Sequence, residues 1–380
     1  VYKKILFFWI LLLPTQLTKF FWPDWSVFLG TRIDFLAPVL YAQDFLIVPL
    51  LVLNFSKIIL KIKRNKKSFG LLLVLIGLNV VFAIRPEIAI FKWISVLKII
   101  FIAFLVWKDK ELVKKYLLFC IPCWVVGELI LSLGQVARGG SLQGLFYWLG
   151  ERKFSYIDPG IALMSIADET FIRAYGTFSH PNVMAGFVGV CLLVWQRFKK
   201  IDLSFWLIWW SGIVVLVLTG SRVAILSLLV SLFFKFRIKN ILALVVVGLM
   251  GLVLYKQVGW DVNSGLKRTW LVGQSLRQIA FSPIFGIGLG NNIIANSEYR
   301  NFEGVRLLQP VHNVYLLIMA ELGLLVTVIF VFFSKKVRFN KVLLFILITG
   351  LFDHYWISAA QTIGLMAVIL PILNDKTDTF

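Results

Sequence analysis

The chain has 380 residues, 59% of them hydrophobic, with a mean hydropathy of +0.87. That composition excludes an ordinary soluble domain and implies many membrane spans. The net charge of +20 does not point to nucleic acid, because most Lys and Arg sit in short clusters between apolar runs, as in cytoplasmic loops.

In chain order, the apolar runs predict spans at 5–21, 45–60, 69–84, 88–107, 116–136, 181–195, 203–218, 223–234, 241–255, 312–333, 342–351 and 358–373. The expected fold is all-α: a polytopic membrane protein of about twelve transmembrane helices, with an outer-face loop containing amphipathic helices. The opening VYKKILFFWILLL has a charged, signal-like start but no small-residue cleavage site, and reads as a retained first helix. A first residue of Val1 means either an alternative start codon or an incomplete N-terminus. Basic clusters fall at 57–67, 108–115, 197–200, 235–239 and 335–341, after every second span. The positive-inside rule then places both termini in the cytoplasm of a multi-pass inner-membrane protein, and loops 137–180 and 256–311 outside. Cys120 and Cys123 share a C-x-x-C spacing, but inside YLLFCIPCWVVGELIL they read as small hydrophobes beside a Pro122 kink.

Four groups of residues carry candidate chemistry. Arg222 follows the tight turn Thr219-Gly220-Ser221 at a helix start. A cation there opposes the helix dipole, so it is either a snorkelling interface residue or one that shares the site with an anion. Lys267, Arg268 and Arg277 lie on the amphipathic RTWLVGQSLRQIAF and its approach; the Gly-rich PIFGIGLGNN after it reads as a tight turn, not a phosphate loop. His312 opens a span, where a helix N-terminus favours the neutral imidazole that a general base needs, or simply caps the helix. Glu321 and Glu128 lie within spans and are expected to point inward. In RAYGTFSHPN, Arg173 and His180 are polar candidates within what reads mainly as a structural turn. No metal site or cofactor is expected, since neither paired carboxylates nor a His cluster with ligand spacing occurs, although Asp34 and Asp44 remain free to meet in space.

The segments RAYGTFSHPNVMAG, LTGSRVAILSLL, KRTWLVGQSLRQIAFSPIFGIGLGNN, VHNVYLLIMAELGLLV and GLFDHYWISAAQTIGLM, in that order, resemble the O-antigen ligase and polymerase superfamily of bacterial membrane glycosyltransferases. The resemblance implies a GT-C-like catalytic region at 173–365, after N-terminal helices and outer loops at 1–172 and before a tail at 366–380. It also implies metal-independent, inverting transfer of a glycan from an undecaprenyl-diphosphate carrier to a glycan or lipid-anchored sugar acceptor, on the outer face. Arg222 and Arg268 would contact the diphosphate, and His312 would activate the acceptor hydroxyl. Arg277, Arg300 and Arg306 are alternatives to Arg268. A lipid-linked glycan flippase or other transporter is the reading from a different class, but no internal repeat supports it.

Overall fold

The computed structural model describes residues 1–166, 169–233, 262–296, 298–299, 301–302, 305–334 and 339–373. The expected span at 241–255, the cluster at 235–239, Arg300 and the last seven residues lie outside them.

Helix α1, Tyr2–Leu11, ends well short of the expected position 21. Pro14 follows and biases the residue before it away from helix. The chain then forms two small antiparallel ribbons: β1 (Thr18–Phe20) with β4 (Val39–Tyr41), and β2 (Val27–Phe28) with β3 (Thr31–Arg32). Helices α2 (Ile47–Arg64), α3 (Lys66–Val81), α4 (Pro86–Lys108) and α5 (Lys110–Arg138) follow with minimal links. Pro86 suits the first position of α4, where its missing N–H is not needed. Cys120 and Cys123 are free thiols on α5, which runs on through Pro122. A short α6 (Leu145–Trp148) and the hairpin of β5 (Leu163–Ile166) and β6 (Glu169–Ile172) lead to α7 (Pro181–Phe198), α8 (Leu203–Thr219) and α9 (Arg222–Phe233). The amphipathic α10 (Val262–Phe281) is followed by a ribbon of β7 (Asn301–Phe302) and β8 (Val305–Arg306). Then come α11 (Val314–Ser334), α12 (Lys341–Gly350), α13 (Tyr355–Ser358) and α14 (Ala360–Leu373).

The expectation of about twelve transmembrane helices is overturned, and the chain is mostly helical, not all-α. Among the described residues, three helical segments are long and apolar enough to cross a membrane: Ala42–Arg64, Pro86–Lys108 and Lys110–Arg138. The other apolar helices are shorter; α8 with 17 residues, α14 with 14 and α12 with 10 reach about 26, 21 and 15 Å at 1.5 Å per residue, against about 30 Å of hydrocarbon. The physical reason is burial. In α7 every residue from Val183 to Trp195 is buried. Its apolar run faces protein, and hydropathy does not separate that case from lipid exposure. Helix α11 is broken at Gly323 (φ 72°, ψ 175°). There the chain presses backbone to backbone on the turn at Gly286, whose φ is also positive, and a Cβ on either glycine would meet the other segment's backbone. PIFGIGLGNN is thus a tight turn.

The main core gathers α5, α8, α9, α12 and α14 around α7, with α1 packed on α5 and α4 on α14. A smaller cluster of Ile33, Leu36, Ile88 and Ile293 fastens the N-terminal ribbons to α4 and the segment after α10.

Candidate functional site

Helix α5 supplies the platform. Glu128 accepts from the Thr177 N–H at 3.0 Å and its hydroxyl at 2.6 Å. Gln135 accepts from the N–H groups of Tyr175 and Gly176 at 3.0 and 2.8 Å, and donates to Glu151 at 2.9 Å. Gly176 has φ +56°, and a Cβ there would strike the Glu128 carboxylate, so the RAYGTFSHPN turn requires glycine. The turn delivers His180 to the N-cap of α7, where its Nδ1 accepts from the Asn182 N–H at 3.1 Å.

A relay of hydrogen bonds runs outward from there. Arg173 Nε donates to the Thr219 carbonyl at 2.6 Å, one turn before Arg222, and its Nη2 donates to Asn182 Oδ1 at 2.6 Å. Asn182 Nδ2 donates to Asp353 Oδ2 at 3.0 Å. Asp353 Oδ1 accepts from the His354 N–H at 2.8 Å, and His354 Nδ1 lies 2.6 Å from Ser358 Oγ. The His312 ring stands edge-on to His354 at 5.1 Å, and Phe35 from the N-terminal ribbons packs edge-on to His354 at 5.4 Å. The chain has three histidines, and all three face Asp353 in one neighbourhood.

His312 lies two residues before α11, not on its first turn as expected. Asn313 caps that helix through the Leu316 N–H at 3.0 Å, and the preceding Val311 N–H donates to the buried Asn292 Oδ1 at 3.0 Å. His312 Nδ1 is buried without a hydrogen-bond partner among the described residues.

The charges are unevenly distributed. Arg173 feels both Arg222 and Arg268, and Arg268 also acts on His312 and His354. Arg173 thus faces the Asp353 carboxylate, with the charges of Arg222 and Arg268 within range of Arg173. Burial lowers the affinity of His312 for a proton, and Arg268 adds to that against the pull of Asp353. Burial likewise brings His354 down to about 4, with His312 and Arg268 adding, and His180 down to about 3, with Arg173 adding. Burial pushes the Asp353 carboxyl up, but the imidazoles, once protonated in acid, and the Asn182 bond outweigh it and bring it to about 2. At neutral pH the cluster therefore holds an ionised carboxylate and neutral imidazoles, and the neutral His312 follows from burial more than from a helix terminus.

The remaining candidates stand elsewhere. Arg277 is exposed and lies 3.9 Å from Glu298. Arg306 donates to the Leu29 carbonyl at 3.2 Å, tying β8 to the N-terminal ribbons. Glu321 accepts from the Asn292 N–H at 3.2 Å and holds the Gly-rich turn. Asp44 pairs with Lys98 at 2.7 Å, while Asp34 lies within charge range of Arg152. Among the described residues, donor atoms of His312, Asp353 and His354 lie within 4.8 Å of one another, so this trio could hold a divalent ion. The Arg268 charge, which acts on His312, opposes an added cation there. Asp353 and His354 entered the sequence reading only within the segment GLFDHYWISAAQTIGLM, and Asn182 only within the RAYGTFSHPN turn. Their convergence has no spacing signal, because it joins positions 171 residues apart.

Residues 170–331 match the family model Wzy_C, described as O-antigen ligase. The match covers 162 of the 380 residues and is a likeness to that family over this segment. The matched segment contains Arg173, His180, Arg222, Arg268, Arg277, His312 and Glu321, while Asp353 and His354 lie beyond it. No curated protein matches the chain.

Proposed function

We propose that the protein transfers a glycan from a lipid diphosphate, of the undecaprenyl type, to a sugar hydroxyl at the membrane surface. The observation that carries this reading is that Arg268 acts on His312 and His354, while Arg173, joined to Asp353 through Asn182, lies within charge range of both Arg222 and Arg268. The arginine charges exceed that of Asp353, which suits an anionic leaving group, and guanidinium groups bind phosphate in two-pronged fashion. The acceptor oxygen bonds to the anomeric carbon as the bond from that carbon to the diphosphate oxygen breaks. The electron pair leaves with the diphosphate, where Arg222 and Arg268 stabilise the developing charge. The acceptor proton passes to the unprotonated ring nitrogen of neutral His312. Attack from the face opposite the diphosphate inverts the anomeric centre. Arg173 and Asn182 orient Asp353, which favours the imidazolium that forms.

The test uses full-length protein in lipid nanodiscs with an undecaprenyl-diphosphate glycan, an acceptor glycan and excess chelator. Release of undecaprenyl diphosphate coupled to a longer or anchored glycan is expected, with His312→Ala binding donor but not transferring. Activity lost in chelator and restored by a divalent metal, or unaffected by His312→Ala, refutes the mechanism.

A further inference from the structure

A second polar feature lies far from this cluster, where α4 passes into α5. A cavity of about 420 Å³ is lined there by Trp107, Lys108, Asp109, Lys110, Glu111 and Leu112. The carboxylates are already engaged: Asp109 accepts from the Tyr2 hydroxyl at 2.8 Å and lies 3.6 Å from Lys108, and Glu111 lies 3.0 Å from Lys114. Helix α2 then brings more cations. Lys61 Nζ sits 4.9 Å above the Trp107 ring, and Lys57 comes close enough to Lys108 for their charges to act on each other. Two ammonium groups repel at that range, and neither has a lone pair to accept from the other. Among the described residues, five lysines (57, 61, 108, 110 and 114) thus surround two carboxylates.

The place selects the occupant. Positions 128–135 of α5 hold the His180 turn, whereas the cavity sits at its first residues, about 27–38 Å away along the helix. That separation spans the hydrocarbon core of a bilayer, about 30 Å. Trp107 is 52% exposed, and α2 beside it belongs to a span with 17% of its apolar window buried, so the cavity opens at the boundary between lipid and water.

We propose that this pocket binds the phosphodiester headgroup of an anionic membrane lipid. The phosphate sits between Lys57 and Lys108, its acyl chains run along the exposed side of α2, and Trp107 and Lys61 close one flank. The contact fastens α2 to the α4–α5 corner, and it is independent of the glycan-transfer reading.

The test is native mass spectrometry and thermal unfolding of the full-length protein in detergent, with phosphatidylglycerol, phosphatidylcholine or inorganic phosphate added. Phosphatidylglycerol is expected to bind saturably and raise the unfolding midpoint, and the other two to do neither. Lys57→Ala with Lys61→Ala, both at exposed positions, should weaken phosphatidylglycerol binding at least tenfold. Lys66→Ala with Lys67→Ala, on the neighbouring turn, should not. Equal weakening by both pairs would show diffuse surface charge, and a phosphate shift as large as the lipid's would show a soluble-anion site; either overturns the proposal, as does unchanged binding in the Lys57/Lys61 variant.

Discussion

Asn292→Ala tests whether His312 is held by a buried polar hub. The Asn292 side chain is 2% exposed and makes three hydrogen bonds: Nδ2 to Gln278 Oε1 at 2.6 Å, Nδ2 to Ser275 Oγ at 3.1 Å, and Oδ1 from the Val311 N–H at 3.0 Å. Removing it strands a donor at fully buried Val311 and an acceptor at Gln278, which is 3% exposed. Each buried group left unpaired costs about 1–3 kcal/mol, so the expected loss is about 2–6 kcal/mol. Because Val311 precedes His312, the loss should also show locally. Hydrogen exchange of the purified protein in nanodiscs should report faster exchange at Val311 and the first turn of α11, with a smaller change in α7. Transfer should fall more in kcat than in donor KM. A stability change below about 1 kcal/mol together with unchanged exchange at Val311 would refute the reasoning.

Other expectations concern the cluster directly. Arg222→Lys should stay impaired in transfer, because an ammonium does not reproduce a two-pronged phosphate contact; wild-type rates would remove Arg222 from the diphosphate site. The rate–pH profile should keep activity below the ordinary His value near 6.5, since a lowered His312 stays neutral in mild acid. Arg268→Gln removes a cation that lowers the His312 value, so its acidic limb should move up; Asp353→Asn removes a group that raises it, so that limb should move down. Shifts of the same sign in both variants would contradict the charge arrangement. Gly176→Ala should unfold the His180 turn, seen as loss of protease resistance, because its Cβ would occupy the space of the Glu128 carboxylate.

The sequence by itself determined a membrane-embedded, mostly helical chain, and it singled out Arg222, Arg268 and His312, because apolar content and short polar motifs are local properties. It did not determine how many helices cross the bilayer. Apolar residues serve a protein core and a lipid face equally well, and α7 looks like a span by hydropathy while packing as the buried centre of the bundle. Breaks were only partly legible: Pro14 explains the end of α1, but Gly323 is an ordinary helix glycine until the turn at Gly286 is pressed against it. The tertiary structure alone decided that Asp353, Asn182, Arg173 and the three histidines share one neighbourhood. Their positions span the chain from 173 to 354, and only the packing of α7 and α8 with the turns before α11 and α13 brings those charges within range of one another.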